Sequence, residues 1–436
     1  MHTPVPHLTT AQTGPLLKLE STLLERYADI EAWFREQWMN VPAPFYSSVD
    51  LRNAGFKLAP IDTNLFPGGF NNLNPAFEPL CVQALQSALQ MVCPNARNIV
   101  LIPENHTRNK FYLENVATIF ELLQKAGFHV RIGSLIPELH EPMDVALEIS
   151  GRSLRFEPLR RDGDSLYVGD FRPCAIILNN DLSAGIPEVL KGIAQEIIPP
   201  PDVGWHVRQK SHHFGFYREV AKEAAELIGI DPWLVDPLFR NCGQINFLRR
   251  EGQECLEANV ELLLADIRAK YDEYGITEEP FVIVKSDAGT YGMGVMTARS
   301  VEDVRNMNRK ARTHMSSAKE GREVTGAIIQ EGVYTMEKLG DDEATAEPVV
   351  YMIDRFVVGG FYRLNAKRGS HENLNAPGMR FEPLAFDECC SHPDPHCGPD
   401  DRPNRFYAYG VVARLAALAA AREIEATREL AGQQVA

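Results

Sequence analysis

Residues 281–296 read FVIVKSDAGTYGMGVM, which combines a β-branched run, a lysine and closely spaced glycines. The apolar run that ends at Lys285 predicts a strand, the glycine-rich part predicts a turn, and the second apolar run predicts a returning strand. The glycines of the turn are Gly289, Gly292 and Gly294. Glycines let backbone N–H groups approach phosphate oxygens closely, and the lysine supplies a compact positive charge. This hairpin is therefore a candidate lid over nucleotide phosphates.

The glycine pattern differs from two common phosphate-binding loops. Its order is G-x-x-G-x-G rather than the dinucleotide fingerprint G-x-G-x-x-G, and no helix pattern follows it. It is not a Walker A loop, because no Gly-Lys-Ser or Gly-Lys-Thr closes it. The alternative is a glycine-rich hairpin with an incidental lysine, so the interpretation depends on the other motifs of the chain.

Composition narrows the class of protein. The chain has 436 residues, 44% of them hydrophobic, and a net charge of −15. This length predicts two or three domains, and the negative charge argues against nucleic-acid or anionic-membrane partners. No uncharged run approaches the roughly 18 residues of a membrane span, and no apolar signal segment opens the sequence. Eight cysteines fit reduced thiols, so we expect a soluble cytoplasmic protein.

The periodicity predicts an α/β chain with a Rossmann-like α/β layer in its N-terminal half. A strand over 98–103, a helix over 109–126 and a strand over 128–133 predict that layer, with another strand over 175–178. A helix over 16–39 and paired strands within 48–64 precede it. Further helices are predicted over 211–228, 255–271, 301–318 and 408–433, and further strands over 327–330, 349–354 and 355–364. Prolines at 199–201 suggest a connector, so the predicted domains are 1–200, 201–335 and 336–436.

An oxygen-rich set near the front of the chain is a candidate metal site. Asp62 and Asn64 are two residues apart on a predicted strand and therefore face the same way. A tight turn centred on Ala54 would leave Asp50 too far from Asp62. A wider loop over 53–60, which Pro60 favours, would place the two aspartates opposite each other. Asp50, Asp62 and Asn64 would then suit Mg²⁺ rather than zinc.

Other residues are candidates for binding a nucleotide. Gln330 and Glu331 end a predicted strand and could present polar groups to an adenine. Lys210, just before a predicted helix, could neutralise the far end of a triphosphate. Arg363 could stabilise a transferring phosphoryl group through charge-assisted hydrogen bonds, with Asn373 in the turn that follows. For each, the alternative is a solvated surface residue or a strand end that reaches solvent.

The segment from Cys389 to Cys397 is rich in cysteine and histidine. It lacks the usual C-x-x-C pairing of structural zinc sites, so a plain surface loop is the favoured interpretation. Structural zinc is the alternative, and the adjacent pair Cys389 and Cys390 could also respond to oxidation.

Taken together, these motifs resemble an ATP-grasp ligase, in which they occur in the same order. The segment from Asn373 to Gly378, Asn-Leu-x-Ala-x-Gly, is similar to bacterial glutathione synthetase. The early metal motif resembles the circularly permuted arrangement of eukaryotic glutathione synthetase and glutathionylspermidine synthetase. There a carboxylate-x-Asn is likewise followed by a glycine-containing loop. This sequence departs from that pattern by carrying Asp rather than Glu at position 62.

Across most of its length the chain resembles the proteobacterial glutamate–cysteine ligase family. The segments 49–52, 104–110 and 210–217 contribute to that resemblance. It implies a glutathione synthetase-like ATP-grasp fold, ATP and Mg²⁺ as cofactors, and ligation of the glutamate γ-carboxylate to cysteine through an acyl phosphate. That reaction is the first step of glutathione biosynthesis. Lys210, Lys285 and the glycine turn would hold the phosphates, and Arg363, Lys285 and Asn373 would be catalytic.

Several alternatives stay open at this point. The chain could be another ATP-grasp amide ligase, such as a glutathione synthetase, or a nucleotide-binding regulator without catalysis. Arg52, Arg108, Asn179 and Asn180 could bind substrate carboxylates, although a structural role is the alternative for each. The expected partners are small molecules, namely glutamate, cysteine and ATP, and the sequence leaves homo-oligomerisation open.

Overall fold

The computed structural model describes residues 15–105, 109–288, 294–316, 324–384 and 405–435. These residues form a mixed α/β structure with several sheets, which confirms the predicted fold class. The helices are α1 Pro15–Glu25, α2 Tyr27–Asn40, α3 Glu78–Val92, α4 Lys110–Lys125, α5 Lys210–Ile228, α6 Gln253–Tyr274, α7 Val301–Arg305, α8 Arg309–Met315 and α9 Arg405–Val435. None of them, within the described part of the chain, has both the length and the apolar character that crossing a membrane requires.

One antiparallel sheet, the long sheet, joins the two ends of the chain. Its strand order is β17-β16-β15-β1-β2, with β14 pairing with β15. The strands are β1 Tyr46–Asn53, β2 Leu58–Asn64, β14 Lys338–Leu339, β15 Ala344–Ile353, β16 Phe356–Asn365 and β17 Arg380–Pro383. Because β1 pairs with β15, the N-terminal hairpin and the C-terminal strands form a single surface. The predicted boundaries near 200 and 335 therefore separate strands that share this sheet, and the domain division stays a prediction.

The predicted α/β layer is present in the N-terminal half. Its order is β5-β6-β4-β3-β8-β9, with β7 pairing with β6. The strands are β3 Asn98–Pro103, β4 His129–Ser134, β5 Met143–Ala146, β6 Ser153–Asp162, β7 Ser165–Val168, β8 Ala175–Asn179 and β9 Glu196–Ile198. The central strand β3 is parallel to both β4 and β8. Its run of buried aliphatic residues is typical of a parallel strand covered on both faces.

A third group of strands, the hairpin sheet, has the order β10-β13-β11-β12. The strands are β10 Phe239–Cys242, β11 Val282–Ser286, β12 Val295–Ala298 and β13 Ala327–Glu331. Strands β11 and β12 pair antiparallel, so the hairpin predicted from residues 281–296 is confirmed. Of its turn glycines, Gly294 has a φ of 62°, a left-handed conformation that favours glycine. Gly289 and Gly292 lie outside the described residues.

Two helices predicted as continuous are divided. The first is interrupted at Arg26, which separates α1 from α2. The second is interrupted between α7 and α8, where the side chain of Asn308 caps α8 by accepting from the Ala311 N–H. Asparagine favours such caps over helix interiors because its side chain competes for backbone donors.

Helix α9 lies at the centre of the main hydrophobic core. Val411, Val412, Leu415 and Leu418 are at most 1% exposed, and the intervening positions are largely alanine. Small side chains let the helix approach α5, β1 and β2 closely. The alanine-rich terminal segment is therefore a buried core helix, and it packs against the strands that carry the candidate metal ligands.

Candidate active site

A cavity of about 720 Å³ lies where the long sheet, the hairpin sheet and the carboxyl edge of the α/β layer meet. Most of the residues predicted from sequence line this one cavity. They are Asp50, Arg52, Asp62, Asn64, Asn179, Lys210, Lys285, Gln330, Glu331, Arg363 and Asn373. Asn180 and Gly294 are described but do not line it, and Arg108, Gly289 and Gly292 lie outside the described residues. Residues far apart in sequence are thus brought together as one site.

The hairpin of β1 and β2 places Asp50 directly opposite Asp62. The predicted pairing is present, but the predicted wide loop is wrong. The two strands stay paired as far as Asn53, which lies opposite Leu58. A β-bulge makes Ile61 an extra residue of β2, so that Asp50 pairs with Asp62 while Leu51 pairs with Pro60. Pro60 tolerates this position because β2 is an edge strand among the described strands.

Asp50 belongs to a buried chain of alternating charges. The Arg363 Nη1 donates to Asp50 Oδ2 at 2.8 Å and also to Glu347. Burial raises the pKa of Asp50, an effect that the Arg363 guanidinium opposes and Glu347 reinforces. The two carboxylates raise the pKa of Arg363, against the effect of its burial, so it stays charged. Sequence reasoning missed Glu347, although a glutamate within a buried apolar strand is itself a signal for a charged partner.

Asp62 lies between two lysines. Lys210 Nζ donates to Asp62 Oδ1 at 2.6 Å, and Lys285 Nζ donates to the Ile61 carbonyl and to Gln330 Oε1, each at 2.8 Å. Burial alone would raise the pKa of Asp62, but the two lysines lower it to about 2. Burial lowers the pKa of Lys285 to about 8. This end of the cavity, which we call the phosphate end, therefore combines partly desolvated lysines with an ionised aspartate.

Glu331 lines the cavity, but its carboxylate bonds protein groups, and its role beside an adenine stays a prediction. The residue is 2% exposed, and its carboxylate accepts a hydrogen bond from Lys57 Nζ at 2.7 Å. It also accepts from Trp233 Nε1 at 3.1 Å and from the Leu238 N–H at 2.9 Å. Its neighbour Gln330 lines the cavity, and the Gln330 Nε2 has no hydrogen-bond partner among the described residues.

Two of the residues predicted to bind substrate carboxylates have hydrogen-bond partners within the protein. Arg52 donates to the Val333 carbonyl at 3.1 Å, to the Glu372 carbonyl at 2.6 Å and to Glu347 at 3.1 Å. Asn180 donates to the Pro103 carbonyl and is buried behind the cavity wall. These bonds hold loops together. Those of Arg52 use three of its five N–H donors, and because Arg52 also lines the cavity its substrate role stays a prediction.

The loop over residues 65–72 is fixed by side chains from three different elements. Asn115 Oδ1 accepts the N–H groups of Gly69 and Phe70, each at 2.9 Å. Asn179 Nδ2 donates to the Pro67 carbonyl at 2.9 Å, and Tyr351 donates to a neighbouring carbonyl of the loop. The predicted residue Asn179 therefore shapes the cavity wall rather than offering free groups to substrate.

A further part of the cavity was not predicted from sequence. It is lined by Glu104, Asn109, Phe111, Tyr112 and Asp181, together with Asn71 and Asn72 of the 65–72 loop. Glu104 follows β3 and Asp181 follows β8, both at the carboxyl edge of parallel strands. Ligands in α/β proteins bind at that edge, so the order of strands could have indicated these residues. We call this region the amino-acid end, since it combines carboxylate, amide and aromatic groups.

The candidate metal ligands fit Mg²⁺ only in part. Asp50, Asp62 and Asn64 all line the phosphate end, although the Asn64 Oδ1 also accepts the Phe66 N–H at 2.9 Å. Among the described residues, no group of three or more His, Cys, Asp or Glu side chains is placed to hold a metal ion. Two carboxylates suffice when substrate phosphates complete the coordination, which is the usual arrangement for Mg²⁺. The segment from Cys389 to Cys397 lies outside the described residues.

The combination of a lysine-rich phosphate end and an adjoining polar pocket fits one class of protein, the nucleotide-dependent ligases. A family model described as glutamate-cysteine ligase matches residues 20–424, and the chain belongs to this family. It is accordingly an enzyme, a carboxylate–amine ligase that uses ATP and acts on small-molecule substrates to join glutamate and cysteine. The rival interpretations, a glutathione synthetase or a regulator without catalysis, are not favoured.

Three solved structures are similar to the chain to different degrees, and the first of them supports this assignment. A candidate γ-glutamylcysteine synthetase from Methylobacillus flagellatus is 59% identical, with a TM-score of 0.90, and the match covers 98% of this chain and 100% of that one. A glutathione synthetase-like effector from Globodera pallida matches at 10% identity and a TM-score of 0.41 over 88% and 86% of the two chains. D-alanyl-alanine synthetase A from Vibrio cholerae matches at 10% identity and 0.32 over 73% and 81%. No curated protein matches the chain.

Proposed function

We propose that the cavity forms γ-glutamylcysteine by way of a γ-glutamyl phosphate. An oxygen of the glutamate γ-carboxylate attacks the terminal phosphorus of ATP, and ADP leaves. The cysteine amine then attacks the acyl carbon, loses a proton and expels inorganic phosphate. Such chemistry depends on positioning and on electrostatic stabilisation, so it needs no nucleophilic serine or cysteine.

The charges at the phosphate end support distinct roles for its residues. Lys210 and Lys285 hold phosphate oxygens. Arg363 stabilises the phosphoryl group as its negative charge shifts during transfer, with Asn373 beside it. Gln330 contributes to the nucleotide pocket next to Lys285, since its amide lines the cavity. In this arrangement the nucleotide lies between the hairpin sheet and the long sheet, as in an ATP-grasp enzyme.

Asp50, Asp62 and Asn64 are the residues that would hold Mg²⁺. When bound, the ion would offset the charge of the phosphates. The proposal is supported by the direct pairing of the two aspartates across β1 and β2, because directly paired residues project from the same face of a sheet and both aspartates line the cavity. The chain's own contribution is to place a cation beside each carboxylate, Lys210 beside Asp62 and Arg363 beside Asp50, and the lysines keep Asp62 ionised.

The observation that carries the proposal is the convergence of Lys210, Lys285 and Arg363 with two aspartates in one cavity that continues into the amino-acid end. ADP release should therefore be measured with Mg-ATP, adding glutamate and cysteine singly and together. We expect release to require both, with γ-glutamylcysteine in the mass spectrum. Release with γ-glutamylcysteine and glycine instead would favour a glutathione synthetase, and nucleotide binding without release under any pair would favour a regulator.

We further propose that the enzyme works in the cytoplasm, where ATP and reduced cysteine are both available. The cysteines support this proposal. Cys81, Cys93, Cys174, Cys242 and Cys255 are all free thiols among the described residues. Proteins of oxidising compartments more often pair such residues in disulfides. Fractionation of cells that produce the enzyme would test the assignment.

A further inference from the structure

A buried ion pair lies behind the phosphate end, on the side of β2 away from the cavity. Arg208 donates through Nε and Nη2 to the two carboxylate oxygens of Glu423, each at 2.9 Å. The side chains are 2% and 3% exposed. Glu423 belongs to the core helix α9, and its Oε2 also lies 2.9 Å from His213 Nδ1. Neither Arg208 nor Glu423 lines the cavity, so a role in the reaction has to be exercised through other residues.

The third nitrogen of Arg208 reaches the strand that carries the candidate metal ligands. Nη1 donates to the Thr63 carbonyl at 2.7 Å. Thr63 stands between Asp62 and Asn64, and neighbouring residues of a strand face opposite sides. A hydrogen bond to the Thr63 carbonyl therefore fixes the backbone from which Asp62 and Asn64 project into the cavity.

The same arginine is also tied to Lys210. The Arg208 Cζ lies 5.2 Å from the centre of the Trp205 ring, and Lys210 Nζ lies 4.4 Å from that centre. Trp205 is 3% exposed, and its backbone N–H donates to the Asp181 carbonyl at 2.9 Å. Arg208 thus bonds the backbone of the strand that carries Asp62 and shares the Trp205 ring with Lys210, the partner of Asp62.

Burial of such a pair costs free energy because both charged groups lose their hydration. Desolvation offsets most of the attraction between buried charges, and apolar replacements of similar volume are often neutral or stabilising. Stability alone is therefore a weak reason for a bidentate pair at this position. A fixed geometry at the phosphate end is a stronger one, because displacement by about 1 Å can reduce catalysis by roughly two orders of magnitude.

We propose that Arg208 and Glu423 are positioning residues that hold Asp62, Asn64 and Lys210 in the geometry needed for phosphoryl transfer. This inference rests on the proposed function of the phosphate end. It assigns to the terminal helix, through Glu423, a part in the geometry of the site in addition to its part in the core.

The test is the double variant Arg208→Met with Glu423→Gln, which removes the charges together and leaves an acceptor for His213. We expect kcat/KM for ATP to fall about 10- to 100-fold, as for other residues that orient ligands of a metal or phosphate site. Amide hydrogen exchange of residues 58–64 should also become faster in the enzyme without nucleotide. This second readout does not depend on activity.

A matched control is available on the same helix. Arg414 forms a bidentate pair with Glu31 of α2, with nitrogen–oxygen distances of 2.9 and 2.7 Å, remote from the cavity lining. The double variant Arg414→Met with Glu31→Gln should leave kcat/KM within about twofold and exchange of residues 58–64 unchanged. Equal losses in the two double variants would overturn the inference, because Arg208 and Glu423 would then act only by holding α9.

Two further variants keep the inference testable. If the first double variant does not fold, Arg208→Lys retains a charge opposite Glu423 but cannot reproduce the planar fork that reaches both Glu423 oxygens and the Thr63 carbonyl. Normal kcat/KM and normal exchange in Arg208→Lys would overturn the inference. Asp62→Ala separates the two proposals. Full activity of that variant would remove the proposed phosphate end. An inactive Asp62→Ala beside a fully active double variant would remove only the role of Arg208 and Glu423.

Discussion

At the level of single residues, the phosphate end holds its charges in pairs before any ligand arrives. Asp62 pairs with Lys210, and Asp50 pairs with Arg363. Lys210 lowers the pKa of Asp62, and Arg363 opposes the rise that burial causes in the pKa of Asp50. The cations are thus positioned in advance for phosphate, each beside a carboxylate that could bind a metal. Preorganised charge of this kind lowers the reorganisation that the reaction would otherwise require.

The replacement Asp62→Ala should abolish turnover, with a loss of at least about 100-fold in kcat, because it removes a proposed ligand and the partner of Lys210. The Asp62 side chain is 36% exposed at the cavity, so we expect unfolding in urea to change by less than about 1 kcal/mol. ADP release and urea titration measure the two quantities. Asp29→Ala, at an exposed pair with Arg26, is the control and should retain activity. Retained activity in Asp62→Ala would remove the metal assignment.

Lys285 makes nucleotide binding sensitive to pH. Burial lowers the pKa of this lysine to about 8, so the free enzyme loses its positive charge as pH rises through that value. Because phosphate binds the charged form, the Kd for ATP should rise above pH 8, approaching about tenfold for each pH unit. Lys285→Arg stays charged and should show a flatter profile. Calorimetric titration at pH 7, 8 and 9 measures both, and a flat wild-type profile would contradict the assignment.

The residues that line the site were largely predictable from the sequence, but their hydrogen-bond partners were not. Residue type and order indicated Lys210, Lys285 and Arg363, because phosphate chemistry requires cations beside glycine-rich backbone. The sequence did not show that Glu331 is bound by Lys57, which lies 274 positions away. Long-range pairing of this kind depends on the fold, and it decides whether a polar side chain faces a ligand or a structural partner.

At the level of elements, the 65–72 loop contains a position that only glycine accommodates. Gly69 has a φ of 101°, and an added Cβ would lie 2.8 Å from the Tyr351 hydroxyl and 3.2 Å from the Phe361 ring. Gly69→Ala should therefore destabilise the protein by roughly 1–3 kcal/mol and raise KM for the amino-acid substrates. Urea unfolding and initial rates measure these effects.

The adjacent glycine provides the control for that experiment. An added Cβ at Gly68 would meet only a ring carbon of Tyr112, at 4.0 Å. Gly68→Ala should therefore change the free energy of unfolding by less than about 1 kcal/mol. If Gly69→Ala were as stable as Gly68→Ala, neither the left-handed backbone nor the contact with Tyr351 would require glycine at position 69.

Elements were predictable where a local pattern defines them. The strands of the α/β layer and of the hairpin at 281–296 follow from runs of β-branched residues between turn signals. The bulge at Ile61 does not, because an extra residue in one strand leaves the apolar pattern of the other unchanged. The prediction that the two aspartates pair was thus correct, but the wide loop on which it rested is absent.

At the level of the whole molecule, the ion pair of Glu423 links stability to pH. Burial alone would raise the pKa of Glu423, but Arg208 and His213 lower it to about 2 from an ordinary value of 4.5. A carboxyl whose pKa is lower in the folded state stabilises that state above the unfolded pKa and loses this contribution on acidification. Between pH 4.5 and 2 the loss should be on the order of 3 kcal/mol.

Urea unfolding at pH 7, 4.5 and 3 tests this contribution. Wild-type enzyme should lose stability more steeply below pH 4.5 than the variant carrying Arg208→Met and Glu423→Gln, which lacks the titrating carboxylate. The variant carrying Arg414→Met and Glu31→Gln should follow the wild-type slope, since it retains Glu423. Parallel curves for wild type and the first variant would show that Glu423 does not titrate over this range.

The overall arrangement was predictable only in part. The strand–helix–strand order predicted the α/β layer, because such units form parallel sheets. No local signal showed that β1 pairs with β15, since each strand carries an apolar pattern compatible with several partners. The motif order nevertheless indicated the class of enzyme, because the chemistry of phosphate binding constrains residue types more strongly than it constrains topology.

The pairing of β1 with β15 has a consequence for biosynthesis. The ribosome makes the hairpin that carries Asp50 and Asp62 early, whereas its sheet neighbour at residues 344–353 and its covering helix at 405–435 are made near the end. The edge of β1 that pairs with β15 therefore stays unpaired until residues 344–353 have been translated. Such an edge invites wrong partners, so we expect ribosome-bound chains to depend on chaperones and to gain ligase activity only after release.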